Sequence, residues 1–222
     1  MTYSQDERRA LCALLDETGP DAPTLCEGWT TLDLAAHLVL RERRPDAGAG
    51  LLGGPLSGYT AHVQTRMSGR VPYARLVQLV REGPPRFSLF ALPGVDERAN
   101  LTEYFVHHED VRRAAPGWEP RKLAPELTDR LWQRLRATRL ILRKVPVGVE
   151  FARDDVDADQ ADGAGAPRPL RITIRNGTPV VTVVGSPAEL TLWAFGRTTA
   201  AQVRLDGAEQ PVQTLTAARW RL

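Results

Sequence analysis

The segment NLTEYFVHHEDVRRAA, from Asn100 to Ala115, limits the possible folds of this chain most strongly. At about 100° per residue it predicts a helix with Glu103 and His107 one turn apart on one arc. Residues on the same arc are Asn100, Tyr104, Val111 and Ala114, and those near the opposite arc are Arg98, Phe105, Glu109, Arg112 and Arg113. Burying a carboxylate and an imidazole is unfavourable unless they are paired or bind a metal. The helix therefore predicts a polar site inside the fold.

Helical patterns continue through residues 1–145. Capping boxes at Ser4–Glu7 and Thr30–Asp33 predict the starts of two helices, one ending near Gly19 and the other, residues 32–44, ending before a proline. Further helices are predicted over residues 59–68, from Pro72 to a Gly-Pro-Pro stop, and over residues 125–144. Long amphipathic helices with short connections are typical of a helical bundle.

The pattern changes after residue 145. Residues 147–153 alternate like a strand, and residues 170–175 and 179–184 predict a hairpin across Asn176-Gly177. A third capping box at Ser186–Glu189 opens a short helix, followed by a strand at 201–205 and a helix at 209–218. The sequence thus predicts the α+β class, with a helical domain over residues 1–145 and a small α+β domain over residues 146–222.

Composition excludes several classes of partner. The net charge is +2 and no run of basic residues is long, so neither nucleic acid nor a membrane is expected as a partner. Two cysteines form no disulfide framework, and no apolar signal segment is present, so we expect a cytoplasmic protein.

The Gly48–Gly53 match to G-x-G-x-x-G lacks the preceding strand of a dinucleotide site. The acidic loop at Asp155–Asp159 lacks the glycine and glutamate of a calcium loop.

The helix that carries Glu103 and His107 most specifically predicts a metal site. Glu103 and His107 offer an oxygen and a nitrogen ligand on adjacent turns. The best candidate for a third ligand is His37, because it lies among apolar residues in the second predicted helix. Such a set leaves open positions on Zn²⁺ or a similar divalent ion, as catalysis requires. Alternatively, Glu103 and His107 pair with each other, and His37 is an ordinary core histidine.

Other candidate residues have weaker patterns. Asp110 either orients the second ring nitrogen of His107 or is a surface charge. His108 is expected at the edge of the bundle, and His62 is expected to be structural or exposed. Cys26 has no evident base nearby and is expected to be a buried, inert thiol.

Two motifs carry a family resemblance. LCEGWTTLDLAAHL, residues 25–38, and EYFVHHEDV, residues 103–111, resemble the mycothiol-dependent maleylpyruvate isomerase-like branch of the DinB superfamily, and within it an actinobacterial group of uncharacterised metal-binding proteins. The C-terminal segment GSPAELTLWAFGR, residues 185–197, is more weakly similar to the small α+β domain of such isomerases.

The resemblance implies a four-helix bundle that holds a divalent metal, usually zinc, on His37, Glu103 and His107. It further implies mycothiol as a co-substrate and an active-site arginine from the C-terminal domain, for which Arg197 is the candidate. The metal would activate the thiol in an isomerase or transferase acting on a small molecule. A substrate carboxylate would be held by Arg197 or by Arg41, although Arg41 is most simply a solvated residue. A metal-binding or regulatory module without catalysis is the rival function, and a small-ligand carrier is a third.

Overall fold

A computed structural model describes residues 2–44, 46, 55–85, 95–155, 170–218 and 220 of the chain. The chain forms two compact units, Met1–Arg121 and Lys122–Leu222. The first unit is helical in its described part, and the second combines helices with a four-stranded sheet. The predicted α+β class is therefore confirmed.

The first unit contains five α-helices among its described residues, which we number in chain order. They are α1 (Tyr3–Thr18), α2 (Thr31–Arg43), α3 (Ser57–Ser68), α4 (Tyr73–Glu82) and α5 (Val95–Arg112). Helix α1 packs against α4 and α5, and α2 packs against α3 and α4. Their apolar faces form one core, with Leu11, Leu15, Leu34, Leu38, Leu76, Val80, Tyr104 and Val111 among its buried members.

The starts of α1 and α2 test two of the predicted capping boxes. The box at Thr30 and Asp33 is confirmed, because each side chain faces the backbone of the other residue. The box predicted at Ser4–Glu7 is wrong, since Thr2 and Gln5 form it instead. The Glu7 side chain is buried and binds distant partners, so it is not available to the helix end.

Helix α5 is buried on more sides than its pattern predicts. Phe105, Glu109 and Arg113, expected on the arc that faces water, are each exposed by less than 5%. Their charges are balanced inside the unit, because Glu109 accepts hydrogen bonds from Arg113 and Arg121. From Asn100 to Arg112, every residue of the helix is buried or only partly exposed, so apolar and ion-paired neighbours surround this part of the helix.

The second unit contains α6 (Pro125–Arg134) and two short 3₁₀ helices (Leu135–Leu140 and Leu142–Lys144) before its sheet. The strands are β1 (Gly148–Ala152), β2 (Arg171–Arg175), β3 (Val180–Val184) and β4 (Arg204–Asp206), with α7 (Pro187–Ala194) and α8 (Glu209–Ala217). The long helix predicted over residues 125–144 thus ends at Arg134 as an α-helix. In the core, the Trp193 ring contacts the rings of Phe151 and Trp220, with centroid distances of 5.8 and 4.8 Å, respectively.

The predicted hairpin is wrong. The sheet order is β2-β1-β3-β4, so β1 lies between the two strands that were expected to pair with each other. It is antiparallel to β2 and parallel to β3. The connection through Gly177 crosses the start of β1 so closely that a Cβ on Gly148 would lie 2.4 Å from the Gly177 carbonyl oxygen. The Asn-Gly signal therefore marks a close crossing of two backbones, and not a two-residue hairpin turn.

The two units divide between Arg121 and Lys122, earlier than the boundary predicted at residues 145 and 146. Helix α6 packs against α7, and Trp132 and Leu135 join the core of the second unit. The amphipathic pattern of residues 125–144 correctly predicts an apolar face, but cannot say which core that face joins.

None of the helices in the described residues is both long enough and apolar enough to cross a membrane. The Gly48–Gly53 motif and Asp157 and Asp159 of the acidic loop lie outside the described residues.

Candidate metal centre

Helices α2 and α5 bring His37, Glu103 and His107 together in the first unit. Glu103 Oε1 lies 3.3 Å from His37 Nε2 and 3.2 Å from His107 Nε2. One ligand atom from each residue lies within 4.8 Å of the others. The side chains are 12%, 19% and 9% exposed, respectively, so the cluster is shielded from most solvent. The structure thus places the three predicted ligands at one point.

The spacing of these atoms suits a tetrahedral cation. Two ligands bound at about 2.0–2.1 Å with tetrahedral angles are about 3.3–3.4 Å apart. The observed distances of Glu103 Oε1 to the two imidazole nitrogens are close to this value. A second group, Cys26, His107 and Asp110, also has its donor atoms close together. Its His107 Nδ1 and Asp110 Oδ2 are only 2.8 Å apart, which fits a hydrogen bond better than two ligands of one ion.

His107 lies between two carboxylates. Its Nδ1 is 2.8 Å from Asp110 Oδ2, and Asp110 is fully buried. A ring nitrogen that faces a carboxylate at this distance carries a proton, so contacts from both nitrogens require the imidazolium form. A cation on Nε2 would replace one of these protons and leave Asp110 to hold the other. This carboxylate–histidine arrangement is the usual support of a metal-ligating histidine.

Electrostatics distinguish the three residues. Burial raises the pKa of Glu103, but the Arg41 guanidinium and the two histidines outweigh burial and hold this pKa well below its usual value. Burial lowers the pKa of His107, whereas hydrogen bonds with Asp110, Cys26 and Glu103 raise it well above its usual value. Burial lowers the pKa of His37, and this effect dominates. Glu103 is therefore anionic and His37 neutral at pH 7, which are the forms that bind cations.

His37 is held by packing more than by hydrogen bonds. Its ring lies 5.1 Å from that of Trp29 and 5.2 Å from that of His107, measured between centroids. Its Nδ1 is buried without a hydrogen-bond partner among the described residues. His37 thus lacks the carboxylate support that His107 receives from Asp110.

Arg41 extends the cluster into a chain of buried polar groups. Its Nε lies 3.4 Å from Glu103 Oε1, and its Nη1 donates to Asn100 Oδ1. Asn100 is fully buried and also donates to Glu42. The carboxylate of Glu42 in turn pairs with Arg8 through two bonds, of 2.7 and 2.9 Å. The expectation of a solvated Arg41 is therefore wrong, because the side chain is only 16% exposed.

The remaining candidates are distributed as follows. Asp110 orients His107 and is no surface charge. His108 is buried, with its Nδ1 2.9 Å from Glu7 Oε2, so its predicted place at the bundle edge is wrong. His62 is exposed on α3. Cys26 is only partly buried, and its thiol donates to Asp110 Oδ2 at 3.2 Å.

Arg197 lies in the second unit, after the end of α7. Its backbone N–H donates to the Leu192 carbonyl and its guanidinium to the Phe195 carbonyl, so both contacts hold the turn at Gly196. The assignment of Arg197 as a catalytic residue stays a prediction.

The sequence patterns do not predict two members of the buried polar chain: Asn100, which is a partner of Arg41, and Glu42. The helical pattern of α5 puts Asn100 on the same arc as Glu103 and His107, and this position indicates that its side chain faces the site. The sequence around Glu42 does not indicate that its side chain is buried near the site, because the partners of Glu42 lie on α1 and α5.

Comparison with known proteins supports the resemblance. Residues 3–86 match the family described as "Mycothiol maleylpyruvate isomerase N-terminal domain". The match includes His37 and Arg41 and ends before α5. No curated protein and no solved structure matches the chain. The predicted resemblance to this isomerase family is thus confirmed over residues 3–86.

Proposed function

We propose that the protein binds a divalent cation, most simply Zn²⁺, on His37, Glu103 and His107, and uses it in a thiol-dependent isomerase or transferase reaction. The convergence of the three donor atoms, with the carboxylate oxygen 3.2 and 3.3 Å from the two imidazoles, carries this proposal. The match of residues 3–86 to a mycothiol-related family supports a thiol, with mycothiol as the proposed co-substrate. Both cysteines are free thiols, in keeping with a reducing, cytoplasmic setting.

The donor set fits such a cation. Two neutral imidazoles and one carboxylate are ligands that Zn²⁺ accepts, and three protein ligands leave a position open for a small molecule. When bound, the cation would act as a Lewis acid that lowers the pKa of a thiol at the open position. In an isomerisation, the thiol sulfur would add to one carbon of an activated double bond, and its departure after rotation about the resulting single bond would restore the double bond, so that no group is lost.

The protein's own residues would prepare this site. Asp110 holds His107 Nδ1–H and so directs Nε2 toward Glu103. The low pKa of Glu103 keeps its carboxylate charged at all physiological pH values. Trp29 contacts His37 and limits the access of water on that side. Arg197 remains our proposed catalytic arginine from the second unit.

Metal analysis tests the site directly. We expect near-stoichiometric Zn²⁺ or a similar ion in the native protein and a large loss in His107→Ala. The matched control is His62→Ala, which removes an exposed histidine of α3 and should keep the full metal content. Equal metal in all three proteins would refute the assignment of His107.

Thiol binding separates the enzyme from its rival, a metal-binding module without catalysis. The metal-loaded protein is titrated with mycothiol by calorimetry and then assayed for isomerisation or for turnover of a thiol conjugate. The proposal expects saturable thiol binding that disappears in His107→Ala, together with turnover. Metal binding without any thiol binding would favour the non-catalytic module.

A further inference from the structure

Basic residues are concentrated in one segment of the second unit. Six of them lie between Arg130 and Lys144, and no acidic residue occurs between Asp129 and Glu150. The segment covers the second half of α6 and the two 3₁₀ helices that follow it. The net charge of +2, from which we expect no membrane partner, is an average over the whole chain. It conceals a local source of positive potential in the second unit.

The fold buries one side of this segment and exposes the other. Three of its residues are buried at intervals of three or four, namely Leu135, Thr138 and Leu142. Side chains three residues apart lie on the same side of a 3₁₀ helix, so Arg136 and Arg139 lie together on an exposed side. We define the basic patch as four exposed cations and one exposed leucine of the two 3₁₀ helices: Arg136, Arg139, Leu140, Arg143 and Lys144.

The basic patch has no counterions among the described residues. Its four cations form no ion pair there, and their charged groups make a single hydrogen bond, from Arg139 Nε to the Arg136 carbonyl oxygen. Arg175 of β2 adds another positive charge beside the patch, since its Nε lies 3.4 Å from the Arg143 carbonyl oxygen. Closely spaced like charges destabilise a fold. The stability of the second unit therefore does not explain the patch, which suits an anionic partner.

Leu140 indicates which anionic partner fits the basic patch. At 69% exposure, it is the most exposed large apolar side chain of the described residues, and it lies among the cations. Cations that attract anionic headgroups, beside an apolar side chain that enters the lipid, are typical of peripheral binding to membranes. Single-stranded nucleic acids are bound by cations together with exposed aromatic rings. Trp132 is the only aromatic residue between Arg130 and Val149, and it is partly buried against the Arg153 guanidinium.

We propose that the basic patch binds the protein reversibly to an anionic lipid surface, with Leu140 inserted at the boundary between headgroups and acyl chains. This inference goes beyond the proposed function and is independent of the candidate metal centre. Each cation near a negatively charged membrane strengthens binding about fivefold. A single leucine adds a limited apolar contribution, so the protein should associate with the surface and dissociate from it readily.

Vesicle sedimentation tests the proposal with the full-length protein. Vesicles are made of phosphatidylcholine alone, or of phosphatidylcholine and phosphatidylglycerol in equal parts. We expect the wild-type protein to sediment with the mixed vesicles and to stay in solution with phosphatidylcholine alone. Because the attraction is between charges, binding to the mixed vesicles should weaken steeply as salt is raised. A wild-type protein that binds neither kind of vesicle at low salt would refute the proposal.

Two variants separate the contributions of charge and of Leu140. Arg136→Gln combined with Arg143→Gln removes two charges whose guanidinium groups form no hydrogen bond or ion pair among the described residues. We expect this double variant to bind mixed vesicles about 25-fold more weakly, which is about fivefold for each charge. Leu140→Ser should weaken binding about threefold to tenfold and leave its dependence on salt unchanged.

The matched control removes the same charge from the first unit. Arg66 lies near the end of α3 and Arg70 follows it, and both are exposed and without an ion pair among the described residues. Arg66→Gln combined with Arg70→Gln should bind mixed vesicles within about twofold of wild type. Thermal unfolding confirms that each variant is folded. An equal loss in the control and in the patch variant would refute the proposal, because binding would then follow net charge alone.

Two further measurements distinguish lipid from other anionic partners. Duplex DNA is titrated with the wild-type protein and with Leu140→Ser, and self-association is followed by sedimentation velocity without vesicles. Tighter binding to DNA than to mixed vesicles, unchanged in Leu140→Ser, would identify a nucleic-acid surface and overturn the lipid proposal. Self-association at low salt that is lost in the double variant would identify a second copy of this chain as the partner, and would also overturn it.

Discussion

Replacing Asp110 with asparagine tests whether the buried carboxylate behind His107 supports metal binding. Asp110 Oδ2 accepts from both His107 Nδ1 and the Cys26 thiol. Asparagine has almost the same shape, and its amide oxygen can take the position of Oδ2. The substitution therefore removes a negative charge and leaves the packing of a fully buried position almost unchanged.

The magnitude follows from the 2.8 Å contact. A hydrogen bond to a charged group contributes about 1.5–3 kcal/mol, and a neutral one about 0.5–1.5 kcal/mol. The difference of about 1–1.5 kcal/mol corresponds to about fivefold to tenfold in the dissociation constant for the metal. An asparagine that turns its NH₂ group toward His107 would place the ring proton on Nε2 and increase the loss further. We therefore expect Asp110→Asn to weaken Zn²⁺ or Co²⁺ binding at least about fivefold.

The assay is a chelator competition at alkaline pH, where His107 is least protonated in both proteins. The control is Asp16→Asn, an exposed carboxylate that bonds to Arg81 and has no contact with the site. Thermal unfolding of each variant confirms that it is folded. A dissociation constant for Asp110→Asn within twofold of wild type would refute the reasoning, because the carboxylate would then have no role in supporting His107.

Three further predictions concern protons, a buried ion pair and a close backbone crossing. Since the pKa of His107 is raised, we expect each bound cation to displace one proton from His107 at pH 7, and the affinity for the cation to fall as pH falls. Calorimetry in buffers of different ionisation enthalpy measures this proton release. Burial raises the pKa of Glu7, but its ion-pair partners lower it overall, so its stabilisation is present above about pH 4.5 and is lost as pH falls further. Glu7→Gln should lower the free energy of unfolding by about 3 kcal/mol at pH 7 in urea titrations, and a loss below 1 kcal/mol would contradict this. Gly148→Ala should destabilise the protein by about 1–3 kcal/mol because its methyl group meets the Gly177 carbonyl, whereas Gly58→Ala, with open space around it on α3, should be neutral or stabilising.

The candidate site could be predicted from sequence because its information is local. Glu103 and His107 lie one turn apart on one helix, and His37 lies in an apolar stretch of another. Helical periodicity alone places the first two on one face, and the cost of burying them indicates a shared partner. The N-cap at Thr30 is predictable for the same reason, since both of its partners are three residues apart.

Features that depend on distant residues could not be predicted in this way. The burial of Glu109 on α5 depends on Arg113 and Arg121, which follow the helix, and the burial of His108 depends on Glu7 of α1. Charged residues at these positions look like a solvated face until their partners are known. The predicted strand order is wrong for a related reason. The Asn-Gly pattern describes a turn between β2 and β3, but it does not show that β1 lies between these two strands in the sheet.

The two buried ion-pair networks of the first unit show why the candidate site is more than a by-product of the fold. One network, around Glu7 and Glu109, joins α1 to α5 and makes no contact with the candidate ligands among the described residues. The other runs from Arg8 through Glu42 and Asn100 to Arg41 and ends at Glu103. Buried ion pairs give little net stability compared with apolar packing of similar volume, so stability alone does not explain why this network leads to Glu103. A network of buried charges that ends at the carboxylate shared by two histidines is best explained by the chemistry of that carboxylate.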